Sequence, residues 1–202
     1  MPTDPTNQNI LAAARREFAR NGFHGTVVSD IARAANVGKG TVYRRFGNKE
    51  QLFATLIING SHDLRERIEN GVNSGNDPLE SLHNCLNTYF EFFSSSKELI
   101  EVVLTEGKQR VGHVSGELMQ NDIRMRASLS AMFRSGMEQG IFRSQDPDNL
   151  ALLFHNTVWS VMRWAVLSNE DIEFTRPLIL DVFLHGIRHP GTSLESSQPD
   201  TR

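Results

Sequence analysis

The chain has 202 residues, 39% hydrophobic and 22% charged, with a formal net charge of −3; that suffices for one sizeable core or for a small domain joined to a larger one. No run approaches the ~18 consecutive apolar residues of a membrane span, so membrane insertion is not expected. A single cysteine, Cys85, excludes an intramolecular disulfide, fits a reducing cytoplasm and reads as a small buried hydrophobe.

The opening residues "MPTDPTNQNI" hold neither the basic start nor the apolar core of a signal peptide. Ile10, Leu11, Ala14 and Phe18 then recur at helical spacing and predict a first helix that Asn21-Gly22 ends, since glycine readily takes the left-handed conformation. Val28, Ile31, Ala32 and Ala35 predict a short second helix; Val42 and Phe46 belong to a third. Between them "AANVG" must bend sharply, and Asn36 is the best non-glycine residue for a positive φ. A fourth helix, "NKEQLFATLIINGSHDLRERIEN", starts with an Asn48/Gln51 capping box and leads into a loop, "GVNSGNDP". After it come "DPLESLHNCLNTYFEFFSS" with an Asp-Pro start, "KELIEVVLTEGKQR", and a long helix ending near Gly140. "DPDNLALLFHNTVWSVMRWAVLS" and "EFTRPLILDVFLHGIRH" follow, and a polar tail for which disorder is expected. Strand alternation never persists, and no repeat is present. The expected fold is all-α: a head over 1–52, a larger helical body over 53–189 and a tail over 190–202.

Charge divides the same way. Residues 1–53 carry eight basic and four acidic side chains, net +4, and the remainder 13 and 20, net −7. A basic end on an acidic body favours nucleic acid at that end. At 100° per residue, Gly40 and Arg44 lie opposite Val42, with Thr41 and Tyr43 on the flanks. One face of the third helix docks on a core; the other is free to enter a major groove, with Lys39 at its leading end and Gly40 allowing close approach. Arg44 and Arg45 reach phosphates or guanine edges. Arg45 lies nearer the docked face, where an ion pair is equally open to it. Lys49, at the start of the fourth helix, suits a phosphate. Arg15, Arg16 and Arg20 are expected to be mostly solvated.

Competing motifs fail. "VGKGT" lacks the glycine and hydroxyl positions of a phosphate loop, "GHVSG" and "GVNSG" misplace the serine of a nucleophile elbow, and no Cys/His cluster has zinc spacing. No cofactor or metal is implied, and an enzyme is the least favoured reading.

Phe18, Gly22-Phe23, Thr26, Ile31-Ala32, Gly40-Thr41-Val42-Tyr43-Arg44-Arg45-Phe46 and Lys49-Glu50-Gln51-Leu52 together resemble the N-terminal pattern of the TetR family of transcriptional regulators. The resemblance covers about residues 9–53. It implies double-stranded DNA, in a palindromic operator, as the partner of Lys39, Gly40, Tyr43, Arg44, Arg45 and Lys49, with Thr41 beside them. Val27 stands where the family usually has Ser or Thr, so Thr26 or Ser29 takes over a contact there. Asn36 and Gly38 replace the usual turn glycine and the serine before Lys39. The resemblance further implies a homodimer through the last two helices, whose apolar residues, Phe183 among them, wrap more than one face. It also implies an effector cavity in the body. Tyr89, Phe90, Phe93, Met119, Met125 and Trp159 are its expected apolar lining, each equally able to fill a core, and Glu106, His113 and Asn156 its polar members. The function expected is a dimeric repressor released from DNA by a small apolar molecule; the alternative is a DNA-binding regulator without a small-molecule ligand, controlled by a protein partner or by abundance.

Overall fold

In the computed structural model, which describes residues 4–75, 77–107, 115–170 and 175–187, the described residues form eight α-helices and one π-helical turn. The helices are α1 (Pro5–Gly25), α2 (Val28–Ala34), α3 (Lys39–Phe46), α4 (Lys49–Ser74), α5 (Pro78–Val102), α6 (Ser115–Glu138), α7 (Pro147–Ser168) and α8 (Arg176–Ile187), with the π-turn at Val103–Gly107 after α5.

Local chemistry accounts for the starts. Asp4, Asp77 and Asp146 each cap a helix whose first residue is proline, their carboxylates accepting from backbone N–H groups one turn in. Asn48 does the same for Gln51, at 2.7 Å. Each such cap is worth about 1 kcal/mol, and proline at the first position has no N–H to leave unsatisfied.

Four boundaries differ from expectation. The break at Gly22 is present (φ 68°), but the chain resumes helical geometry and α1 extends to Gly25. α4 runs through "GVNS" to Ser74, so the expected loop is shorter. The two segments expected on either side of Ser94–Ser96 are one helix, α5. The expected head–body boundary at 52/53 falls inside α4, which is unbroken there. The tail 190–202 lies outside the described residues.

Two apolar clusters result. The head cluster joins Ile10, Ala14, Phe18 and Phe23 of α1 to Ile31, Val42, Leu52 and Phe53. Phe53 meets Phe18 and Phe23 edge-on at 5.0 and 5.1 Å, a favoured aromatic geometry. The body cluster gathers α4 to α8 around Leu82, Leu86, Tyr89, Phe90, Leu129, Phe133 and Phe154. α4 supplies Leu56 to the first and Leu64 to the second, and Val102 of α5 reaches the head cluster, so the head is seated on the body. Cys85 is fully buried, and burial pushes its thiol up to about 12. α7 has the length and apolarity of a membrane helix, but its Ala151, Phe154, Val158 and Met162 are buried in the body cluster, the pattern of a core helix.

Candidate nucleic-acid interface and effector cavity

α2 and α3 meet at a turn in which Asn36 has φ 53° and the Val37 N–H donates to the Ala32 carbonyl at 2.9 Å. Val42 is buried and Phe46 partly buried against the head cluster. The opposite face of α3 presents Lys39, Gly40, Tyr43 and Arg44 to solvent. Lys39 Nζ lies 5.7 Å from the Tyr43 ring centroid, and Tyr43 is 42% exposed. Neither Lys39 nor Arg44 forms an ion pair with the described residues. A Cβ added at Gly40 would meet nothing within 4 Å. Gly38 opens α3 without a side-chain cap, so the N–H groups of its first turn are not covered by one. Thr41 and Ser29 are half-buried beside this surface.

Three expected DNA-contacting side chains are committed elsewhere. The Thr26 hydroxyl is buried and directs its proton at the carbonyls of Gly22 and Glu17, 2.6 and 3.0 Å away. Arg45 pairs with Asp4 and bonds Asn7 Oδ1 at 3.0 Å. The Thr6 N–H and then Arg45 hold the Asp4 carboxyl below its ordinary range. The phosphate expected on Lys49 is replaced by protein: its Nζ donates to the carbonyls of Phe23 (2.8 Å) and Thr26 (3.0 Å) and lies 4.5 Å from the Phe23 ring centroid. Those carbonyls lie at the C-terminal end of α1, where helix geometry leaves acceptors unmatched. Lys49 thus fastens α4 to α1.

Beneath the head lies a cavity of about 750 Å³, within the usual range of small-molecule sites. Leu11, Ala12 and Arg15 of α1 form one wall. Leu56, Ile57 and Leu64 of α4 and Phe92, Leu99 and Ile100 of α5 form the adjoining walls, with Val103 and Leu104 of the π-turn. Leu118, Asp122 and Met125 of α6 and His155, Asn156 and Trp159 of α7 close it.

Of the residues expected to line such a site, Met125, Asn156 and Trp159 do so. Phe93 is buried behind Trp159, ring centroids 5.1 Å apart. Tyr89 stands behind His155, its hydroxyl 2.7 Å from Nδ1. Phe90 fills the body cluster, with the Arg176 guanidinium 4.7 Å from its ring centroid. Met119 is 62% exposed on the outside of α6. Glu106 leaves the cavity: Oε2 accepts from the His24 backbone N–H at 3.2 Å, and Oε1 stands 2.7 Å from where a Gly22 Cβ would be. It bridges the π-turn to α1 through the space that the glycine leaves. His113 lies outside the described residues.

One polar group in the wall went unanticipated. His155 Nε2 is 2.9 Å from Asp122 Oδ1, and Asp122 Oδ2 accepts from Arg126 Nε at 2.9 Å. Burial holds His155 below its ordinary pKa against the pull of Asp122. Neutral, it donates from Nε2 to Asp122 and accepts the Tyr89 proton at Nδ1, so every partner is matched. Burial also raises the Tyr89 hydroxyl well above its ordinary value.

Two family models match the chain: bacterial regulatory proteins of the tetR family over residues 10–56, and the tetracyclin repressor-like C-terminal domain over residues 75–165. The chain belongs to the TetR family. It is similar to the HTH-type transcriptional repressor KstR2 of Rhodococcus jostii, 28% identical over 184 residues and 90% of each chain. Two solved structures share the fold of this TetR-family protein. The fatty acid degradation regulator FadR of Bacillus halodurans has TM-score 0.77 at 23% identity, covering 94% of this chain and 100% of that one. FadR of Bacillus subtilis in complex with stearoyl-CoA has TM-score 0.74 at 23% identity, covering 90% and 99%. The matched relatives are transcriptional regulators, and this TetR-family chain is a DNA-binding transcriptional regulator, not an enzyme.

Proposed function

We propose that this regulator is a cytoplasmic homodimeric repressor that a mostly apolar small molecule releases from a palindromic operator. The observation that carries the reading is the cavity, because its wall includes α1 of the head. A molecule bound there touches the DNA-binding part and the body together. The stearoyl-CoA of the Bacillus subtilis relative supports a long apolar ligand. Lys39, Gly40, Tyr43 and Arg44 are the proposed groove-facing set.

Dimerisation is supported by a second feature. Leu153, Trp164 and Leu167 on α7 and Leu178 and Val182 on α8 are each at least half exposed, a density that a lone chain would leave facing water. In a dimer, two copies of α3 fit half-sites about 34–36 Å apart, and an effector that favours another spacing of the heads lowers operator affinity.

The test is a thermal-shift screen of apolar metabolites, long-chain acyl thioesters included, followed by operator binding with each stabilising compound. A true effector weakens operator binding, and operator DNA weakens effector binding by the same factor. A screen without a stabilising compound, together with an experimental structure whose cavity is filled by side chains, would leave control by a protein partner or by abundance.

A further inference from the structure

The charges on the cavity wall do not match. Of its two carboxylates, Asp63 is paired with Arg67 at 3.0 Å, and Asp122 is held by Arg126 and His155. Arg15, the one lysine or arginine on that wall among the described residues, forms no ion pair with a described carboxylate. Its Nη2 donates to two neutral oxygens, the Ser95 carbonyl at 3.2 Å and Ser96 Oγ at 2.7 Å. A guanidinium carries five N–H groups; with both on Nη2 used, those on Nε and Nη1 are left.

We infer that the effector is an amphipathic anion whose carboxylate or phosphate oxygens sit on Arg15 while its apolar body fills the cavity. This rests on the effector reading above and gives it a polarity. The N–H groups left on Nε and Nη1 favour a carboxylate or phosphate oxygen over any neutral group, through single charge-assisted bonds, since Nη2 belongs to both two-pronged edges of the guanidinium. The apolar walls of α4 and α5 offer hydrocarbon contact beside the polar Asn59, Ser61 and Ser96, and both wall carboxylates already have cationic partners or His155, so Arg15 is where the anionic group of the ligand is placed. Arg15 is exposed, so an anionic group too large for the cavity extends outward past it. Arg15 also belongs to the head, whereas the apolar walls belong mainly to the body. The head therefore reads the charge of the ligand and the body reads its hydrocarbon.

The experiment compares parinaric acid, a fluorescent long-chain polyene acid, with its methyl ester and its coenzyme A thioester. Binding to the full-length wild type, Arg15→Gln and Arg15→Lys is followed by polyene fluorescence, with circular dichroism and melting temperature as folding controls. The wild type is expected to bind one or both anionic compounds at least about tenfold more tightly than the ester, the scale of a charge-assisted hydrogen bond. Preference for the free acid assigns a carboxylate to Arg15, and preference for the thioester a phosphate. Arg15→Gln erases the preference while ester binding stays within about twofold, and Arg15→Lys keeps much of it. Equal wild-type binding of all three, or an undiminished preference in folded Arg15→Gln, overturns the inference and leaves the cavity an effector site. Binding of none of the three overturns both.

Discussion

Gly40 and Lys49 sit nine positions apart, and the structure separates them into a surface role and a fastening role. Open space surrounds the place where a Gly40 side chain would stand, so Gly40→Val is expected to leave fold and assembly intact. It abolishes binding to operator and random duplex alike by holding α3 out of the groove. Circular dichroism and fluorescence anisotropy check this; full operator binding by the folded variant would contradict the docking orientation. Lys39→Ala is expected to cost operator affinity about 1–3 kcal/mol, the value of a good base contact, and random-sequence affinity less. Equal losses would reject a base-reading role. Lys49→Ala acts differently, since its ammonium serves the Phe23 and Thr26 carbonyls. Losing those charge-assisted bonds should lower stability by about 1–3 kcal/mol and leave the salt slope of DNA binding unchanged. A slope lower by about one would restore the phosphate role.

On α8, Phe183 and Val182 are neighbours about 100° apart around the helix, and their surroundings differ. Phe183 is partly buried and packs edge-on against Phe154 at 5.2 Å, at the margin of its own body cluster, whereas Val182 is 61% exposed. Val182→Glu should therefore lower the dimer fraction at unchanged fold, and operator affinity with it, because two linked heads share an effective concentration. Phe183→Glu should unfold the body first. Light scattering is expected to give twice the 22.7 kDa chain mass for the wild type; a monomeric wild type would remove the proposal. The same helices show what sequence periodicity can carry. The head was legible because Val42 and Phe46 define a docked face and the turn required Asn36 at positive φ, both local facts. The Asp-Pro starts were legible for the same reason. The run Ser94–Ser96 read as a break, yet Ser96 is buried beside Arg15, a contact across 81 positions that no local pattern announces. The cavity was only partly legible, because α1 and α4 supply walls through tertiary convergence. Arg15 read as a solvated surface residue and is exposed, but its place at the cavity rim was not legible; Glu106 read as a cavity member and instead bonds the His24 backbone N–H.

Across the whole molecule, the His155 group ties α5, α6 and α7 together from inside the cavity wall, and it gives folding a pH dependence. Its folded pKa is lowered from 6.5, with burial the main cause. Above pH 6.5 folded and unfolded chains both hold it neutral, and its contribution is intact. Below that value the unfolded chain binds the proton first, so stability falls until the pH reaches the lowered folded value. Urea midpoints measured across this window should show an acid limb in the wild type that is shallower in His155→Gln. Equal slopes would mean that another group carries the dependence.

The two tryptophans stand on different surfaces. Trp159 belongs to the cavity wall, its ring edge-on to Phe93, while Trp164, one and a half turns along α7, is 55% exposed on the outward side. Intrinsic emission is therefore the sum of two separate reporters. Trp164→Phe leaves a chromophore on the cavity wall, where the proposed effector would be read, and Trp159→Phe leaves one on the proposed dimer face. With the two variants, the proposed effector binding and the proposed release from DNA are expected to give separate optical signals whose order can be timed without any label.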